Sequence, residues 1–419
     1  MSGVTRTRWA AATALWTMAL LGPASVAGAQ AVSERGFIEA EGVGFLEAAP
    51  NDPRRVVGDA LLRQEVFLDP TQWLRIAAGL DVRANSHHQV EDEWRLDVDD
   101  RTRLRPRAAL RRLSITASGG GVVVEVGKQF LRWGRADIIF PSDRFAPRDY
   151  LNVTDAELLP VVAARASVQI GSEVLEAVWV PRLTPSRLPL FDQRWSVIPA
   201  EAAGLLVVDE GGQIPGGAQF GGRWRHAGNL FETAVSFFDG FSHLPDLEVN
   251  VVPQAGTIDV SRRYPAIRMF AGDAAVPAAW FTLKAEAAYV TSPAEATEEY
   301  VLYAIEVERQ AGEWLLDVGY AGSVVTTARP VVSFDPNRGM ARSIIGRAAY
   351  TIDPRRSVTI EGAVRQRGEG FYAKGEYTQA FGQHWRLTLA GVGLGGNDDD
   401  FLGRYRRNNH GSVALRFSY

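Results

Sequence analysis

The stretch W-L-R-I-A-A-G-L-D-V-R-A-N, Trp73 to Asn85, separates into two faces when every second residue is taken. Leu74, Ile76, Ala78, Leu80, Val82 and Ala84 make one face; Arg75, Ala77, Gly79, Asp81, Arg83 and Asn85 make the other. A strand projects successive side chains to opposite sides, so this period of two marks a sheet with one apolar and one polar surface. The same split returns at Phe281, Leu283, Ala285, Ala287 and Tyr289 against Thr282, Lys284 and Glu286. It returns again at Trp314, Leu316, Val318 and Tyr320 against Glu313, Leu315, Asp317 and Gly319.

A soluble sandwich also alternates, and the connections decide between the two. The pattern predicts eighteen strands, with sixteen as the alternative count: 36–48, 59–68, 72–85, 105–118, 121–132, 161–171, 173–181, 218–226, 229–240, 264–275, 279–290, 298–310, 313–325, 340–352, 356–367, 370–381, 384–394 and 409–419. From the second strand on, every other connection is tight: Asp69-Pro70-Thr71, Gly119-Gly120, Gly171-Ser172, Ala227-Gly228, Val276-Pro277-Ala278, Ala311-Gly312, Asp353-Pro354 and Gly382-Gln383. Those between are mostly long, at 86–104, 133–160, 182–217, 241–263, 327–339 and 395–408. Short turns at one end and long loops at the other are expected of an all-β, closed antiparallel transmembrane barrel, with periplasmic turns and extracellular loops. An even strand count puts both termini at the turn end.

The N-terminus carries Arg6 and Arg8, an apolar core from Ala10 to Leu21, and small residues ending in Ala27-Gly28-Ala29. That grammar predicts a signal peptide over 1–29 and a barrel over 30–419. Losing two arginines would move the formal charge from −4 to about −6, too mild to suggest nucleic acid as a partner. There is no cysteine, hence no disulfide scaffold. Beyond the leader no apolar run approaches the ~18 residues of a spanning helix. Of 45 basic residues only Lys128, Lys284 and Lys374 are lysine. In the last strand Val413, Leu415, Phe417 and Tyr419 share a face, a candidate signal for barrel-assembly machinery. Lipid and lipopolysaccharide are the other expected macroscopic partners.

The long connection 133–160 concentrates charge: Arg135, Asp137, Asp143, Arg144, Arg148 and Asp149, with Asp155 and Glu157 beyond, among Pro141, Pro147 and four aromatics. The architecture resembles the general porins, whose third extracellular loop folds inward. The resemblance implies that 133–160 narrows a pore and that its opposed charges set a local field. The run G-K-Q-F-L-R-W-G-R-A-D at 127–137 and D-D-D-F-L-G-R-Y-R-R-N at 398–408 resemble porin-like outer-membrane proteins near the eighteen-stranded alginate-export barrels. The lumen is expected to be lined by Arg63, Arg75, Asp81, Arg83, Arg111, Glu125 and Arg165. Such arginines either pass anions or pair with lumen acids.

No catalytic residues, metal or cofactor are expected. The histidines, His87, His88, His226, His243, His384 and His410, have no Ser or Asp partner at a telling spacing. The acidic runs Glu91-Asp92-Glu93, Asp97–Asp100 and Asp398–Asp400 lack the spacing of a calcium loop and read as solvated. The functional expectation is an outer-membrane pore for small or polymeric hydrophilic, and by the arginine reading anionic, solutes. A non-conducting structural or adhesive barrel is the alternative, and an outer-membrane hydrolase a third.

Overall fold

Alternating sequence becomes strand along almost the whole chain. The structure, a computed structural model, describes residues 31–197, 205–330, 332–367 and 369–419; the expected signal peptide lies outside the described residues. The wall begins with β1 (Ala31–Phe45), β2 (Val56–Thr71), β3 (Leu74–Asn85), β4 (Ala108–Gly119), β5 (Val122–Gln129) and β6 (Val161–Ile170). It continues through β7 (Glu173–Val180), β8 (Gln219–Ala227), β9 (Glu232–Phe241), β10 (Ala266–Pro277), β11 (Thr282–Thr291) and β12 (Glu299–Ala311). It ends with β13 (Trp314–Thr327), β14 (Ser343–Asp353), β15 (Arg356–Arg365), β16 (Gly370–Phe381), β17 (Trp385–Gly396) and β18 (His410–Ser418).

Each strand pairs antiparallel with its sequence neighbours, and β1 pairs with β18 from Phe37↔Ser418 to Phe45↔His410. The sheet is thereby closed at eighteen strands, and every expected strand is present. The largest displacement of an end is at β1, which starts at Ala31 where the pattern placed residue 36. The turns run two to four residues, from 72–73 to 382–384. Gly312 and Gly382 take φ of +59° and +65° there, a conformation that a side chain disfavours.

Burial is inverted relative to a soluble protein. Outward Ile360 and Val318 are each 59% exposed, whereas inward Glu286 and Asp317 are 2% and 3% exposed. An apolar outer band with charges inside suits a barrel in hydrocarbon. Trp73, Trp280, Trp314 and Trp385 stand exposed at the turn end, Trp314 against Tyr350 and Trp385 against Phe417 with ring centroids 4.6 and 5.0 Å apart. Such rings mark the level of the lipid headgroups.

The long connections carry more regular structure than expected. Segments 182–217 and 241–263, expected as loops, contribute strands Leu206–Gln213, Asp246–Val252 and Thr257–Arg263, joined by Val332–Ser333 into a separate four-stranded sheet above the loop end. The pattern Val249, Val251 against Ile258, Val260 carries this, but runs of seven residues inside long polar connections give a weak periodic signal.

Closure leads to a direct expectation. Tyr419 N–H donates to Gly36 O at 3.0 Å and Gly36 N–H returns to Tyr419 O at 3.2 Å, next to Phe417, whose ring lies tilted against Trp385. Replacing Phe417 and Tyr419 with serine should abolish most of the folded, heat-modifiable species on gels. Wild-type amounts of that species would count against this role.

Candidate functional site

Residues 130–160 leave β5 and enter the barrel lumen, where they lie against the inner faces of the strands opposite. The reason is visible in the composition of the loop's two sides. Leu131, Trp133, Ala136, Ile139 and Phe145 are apolar and pack with Val178, Phe238, Met269, Val290 and Leu302 of the wall, forming one buried cluster. Phe145 stands edge-on to Trp133 and to Phe238, with centroids 5.1 and 4.8 Å apart. Gly221 on β8 makes room, since a Cβ there would lie 2.6 Å from both rings.

The polar groups of the loop are matched to charges on the same wall. Glu286 of β11 accepts from Arg135 N–H (2.6 Å), Ala136 N–H (2.9 Å), and both Ser142 N–H and Oγ–H (2.8 Å each). The Arg135 guanidinium reaches Asp273 of β10 at 2.6 Å and Glu232 of β9 at 2.9 Å. Asp137 N–H donates to Glu306 of β12 at 3.1 Å, and its carboxylate meets Lys284 of β11 at 2.7 Å. Asp143 turns inward on the loop itself, accepting from Trp133 N–H (2.7 Å) and Gly134 N–H (2.6 Å). Charge-assisted bonds in a water-poor setting are the stronger kind, so this loop is held and not merely resting.

Facing it, β2–β4 carry a second cluster. Arg63 is bidentate to Asp81 at 2.7 Å, and both Arg63 and Arg83 pair with Glu157 of the loop. Arg111 lies 3.6 Å from Asp81. Asp149 is gripped by Arg105 (2.9 Å) and Arg187 (3.2 Å), while Asp100 binds Arg187 (2.9 Å) and Lys128 (2.7 Å). Burial raises the Asp149 pKa, but the Arg105 and Arg187 guanidiniums outweigh it and hold the carboxyl well below its usual range.

Of the six charges expected at a constriction, Asp143 and Arg144 are buried, Asp149 is buried between Arg105 and Arg187, and Arg135 is engaged with the wall. Asp137 remains exposed, and half-buried Arg148 stacks on Phe140 at 4.3 Å with Arg132 on the same ring at 4.5 Å. Among the lumen candidates, Arg63, Asp81, Arg83 and Arg111 come together; Arg165 pairs instead with Glu176 (3.4 Å), Glu125 stands opposite it in register, and Arg75 sits at the turn end on Asp69 (2.7 Å). Sequence reasoning did not find Glu286, Asp273, Glu306 or Arg187. Each sat on a strand or loop with nothing local to distinguish it.

Ser186 and His243 form a hydrogen bond of 2.8 Å that spacing did not reveal. Ser186 Oγ accepts from Arg148 N–H at 2.9 Å, leaving its own proton for His243. Burial, then Arg144 and Arg148, push the imidazole down to about 3. So weak a base, facing guanidiniums, does not activate a serine; the pair ties three loops together. Above the loop a cavity of ≈ 450 Å³ opens, lined by Phe191, Trp195, Phe401, Tyr405, Arg338 and Arg365.

Solved structures share this arrangement of wall. OpdQ of Pseudomonas aeruginosa superposes with a TM-score of 0.55 at 11% identity, over 93% of this chain and 98% of that one. The chain shares this barrel fold. A BenF-like porin from Pseudomonas fluorescens gives 0.54 at 11% over 93% and 98%, and OccAB4 of Acinetobacter baumannii 0.54 at 10% over 92% and 97%. No family model and no curated protein matches the chain. The porin-like reading of the sequence stands at the level of fold; the likeness to alginate-export barrels gains no support from these structures.

Two expectations follow from the way this loop is held. Glu286→Ala leaves three loop N–H groups without their charged acceptor and should cost about 2–4 kcal/mol in urea unfolding of the micellar protein. His243 is neutral when folded and protonates more readily when unfolded, so its contribution is complete above about pH 6.5 and is lost progressively as pH falls toward about 3. Asp149 adds to the same acid loss only below about pH 4. The thermal midpoint should therefore drop between pH 6.5 and 4 in wild type and less in His243→Asn; equal slopes would exclude the assignment.

Proposed function

We propose that the protein is an outer-membrane channel for small hydrophilic solutes, with loop 130–160 as its constriction. One observation carries this: a loop entering the lumen and bonded to β9–β12 through Glu232, Asp273, Glu286 and Glu306. A structural barrel has no need of a loop so placed, whereas a channel uses one to set its bore. The location rests on the barrel with its apolar outer band and on the fold shared with porins, with lipid, lipopolysaccharide and the assembly machinery as partners. Small solutes fit better than a polymer, because a polymer would have to thread past a loop fastened on both sides.

The charges flanking the loop suggest selectivity. Arg63, Arg83, Arg105 and Arg111 stand on one side, while Glu286, Glu306, Glu308 and Asp317 stand on the other, beside Asp137 of the loop. Opposed charges across a narrow passage create a transverse field that orients dipolar and anionic solutes. The arginines are largely paired with Asp81 and Glu157, so the preference for anions is modest.

Planar-bilayer recording tests the reading: discrete conductance steps are expected, and their absence in folded protein would favour a structural or adhesive barrel. Replacing Arg63, Arg83 and Arg111 together with glutamine leaves Asp81 and Glu157 uncompensated. Reversal potentials in a salt gradient should then move toward cation preference. An unchanged potential in a folded, conducting variant would remove these arginines from the ion path.

A further inference from the structure

Four carboxylates meet where the lumen loop touches β12 and β13. Asp137 comes from the loop, Glu306 and Glu308 from β12, and Asp317 from β13. Glu308 and Asp317 are direct cross-strand partners, and one oxygen from each of Asp137, Glu308 and Asp317 lies within 4.8 Å of the others. Like charges directly opposite on paired strands destabilise a sheet. Lys284 offsets part of this by binding Asp137 and Glu308 at 2.7 Å each. One ammonium against four carboxylates leaves an excess of negative charge.

That excess is left uncovered at two particular atoms. Asp317 is 3% exposed, and its Oδ1 has no hydrogen-bond partner among the described residues. Glu306 is 2% exposed, and its Oε1 likewise has none. Arg347 stands in register with Asp317 on β14, yet Asp317 forms no ion pair among the described residues. A buried carboxylate without a donor is costly, and a carboxylate accepts only. A bound cation would supply these oxygens with the partner they lack.

We propose that Asp137, Glu308 and Asp317, backed by Glu306, bind a divalent cation of the calcium class that fastens the lumen loop to β12 and β13. The donors are all hard oxygens, which excludes a preference for soft metals. Oxygens within 4.8 Å of one another can be bridged at calcium–oxygen distances of about 2.3–2.6 Å in flexible geometry, while magnesium demands near-ideal octahedral geometry at about 2.0–2.1 Å. Ligands from a loop and two strands can adjust as calcium allows. The consequence is mechanical: Asp137 belongs to the loop and Glu308 and Asp317 to the wall, so the ion would stiffen the constriction.

The test reads binding and needs no ion flux, so it separates from the channel reading. Folded, heat-modifiable full chain in lipopolysaccharide-free micelles is stripped with chelator and titrated with calcium chloride in a calorimeter. One saturable site is expected, with weaker binding of magnesium and a calcium-dependent rise in the thermal midpoint. Asp317→Asn should abolish the site and Glu308→Gln weaken it at least about tenfold. Lys284→Met should tighten it, because the ammonium competes for the same oxygens. If Asp317→Asn does not fold, Asp137→Asn on the loop makes the same comparison. No saturable binding by folded wild type, or equal binding by wild type and the carboxylate variants, overturns the proposal.

Discussion

Backbone hydrogen bonding in the absence of water governs this molecule. In hydrocarbon an unpaired N–H or C=O costs several kcal/mol, so a spanning sheet has to close on itself. The pairing of β1 with β18 removes the last two free edges. Once closed, the sheet has an inside and an outside, and alternation allots every second residue to each. The outward Ile115, Val318 and Ile360 and the inward Asp81, Glu286 and Asp317 are consequences of that single geometric fact.

Closure also creates an enclosed volume that must be filled or wet. Loop 130–160 fills part of it with a true core, Trp133, Ile139 and Phe145 against Phe238 and Met269. The wall therefore cannot be uniformly polar inside. Toward the loop end its inward residues turn apolar, as at Ala271, Val290 and Leu302, while the acids that receive the loop backbone sit deeper. The loop and the wall are two halves of one packing problem, and Gly221 shows how close the fit is. Charge pairs then lock the arrangement, with Arg135 on Asp273 and Glu232 on one side and Asp149 with Arg105 and Arg187 on the other.

How much could be read in advance divides along the distance over which a signal acts. All eighteen strands were legible, because alternation and turn residues are local; the four-stranded loop sheet was not, since its strands are short and pair parallel as well as antiparallel across distant segments. Within the candidate site, Arg135, Asp137, Arg63, Asp81 and Arg83 were singled out on charge, and the structure brings them to the loop–wall contact. Their partners Asp273, Glu286 and Glu306 looked like any inward acid on an alternating strand. Spacing hid the Ser186–His243 contact for the same reason: it links residues 57 apart in sequence.

The sequence by itself determined that this chain is a closed barrel with a charged interior, an apolar exterior, short turns at one end and long loops at the other. Period two, glycine- and proline-marked reversals and an even strand count suffice for that, because each acts between near neighbours or through simple parity. Only the tertiary structure decided what the charges do. Whether an arginine faces open lumen or a carboxylate depends on which strands lie side by side after closure and on the path of one loop through the interior. Those relations are set by packing of residues more than a hundred positions apart, such as Arg135 and Asp273, where no local pattern reaches.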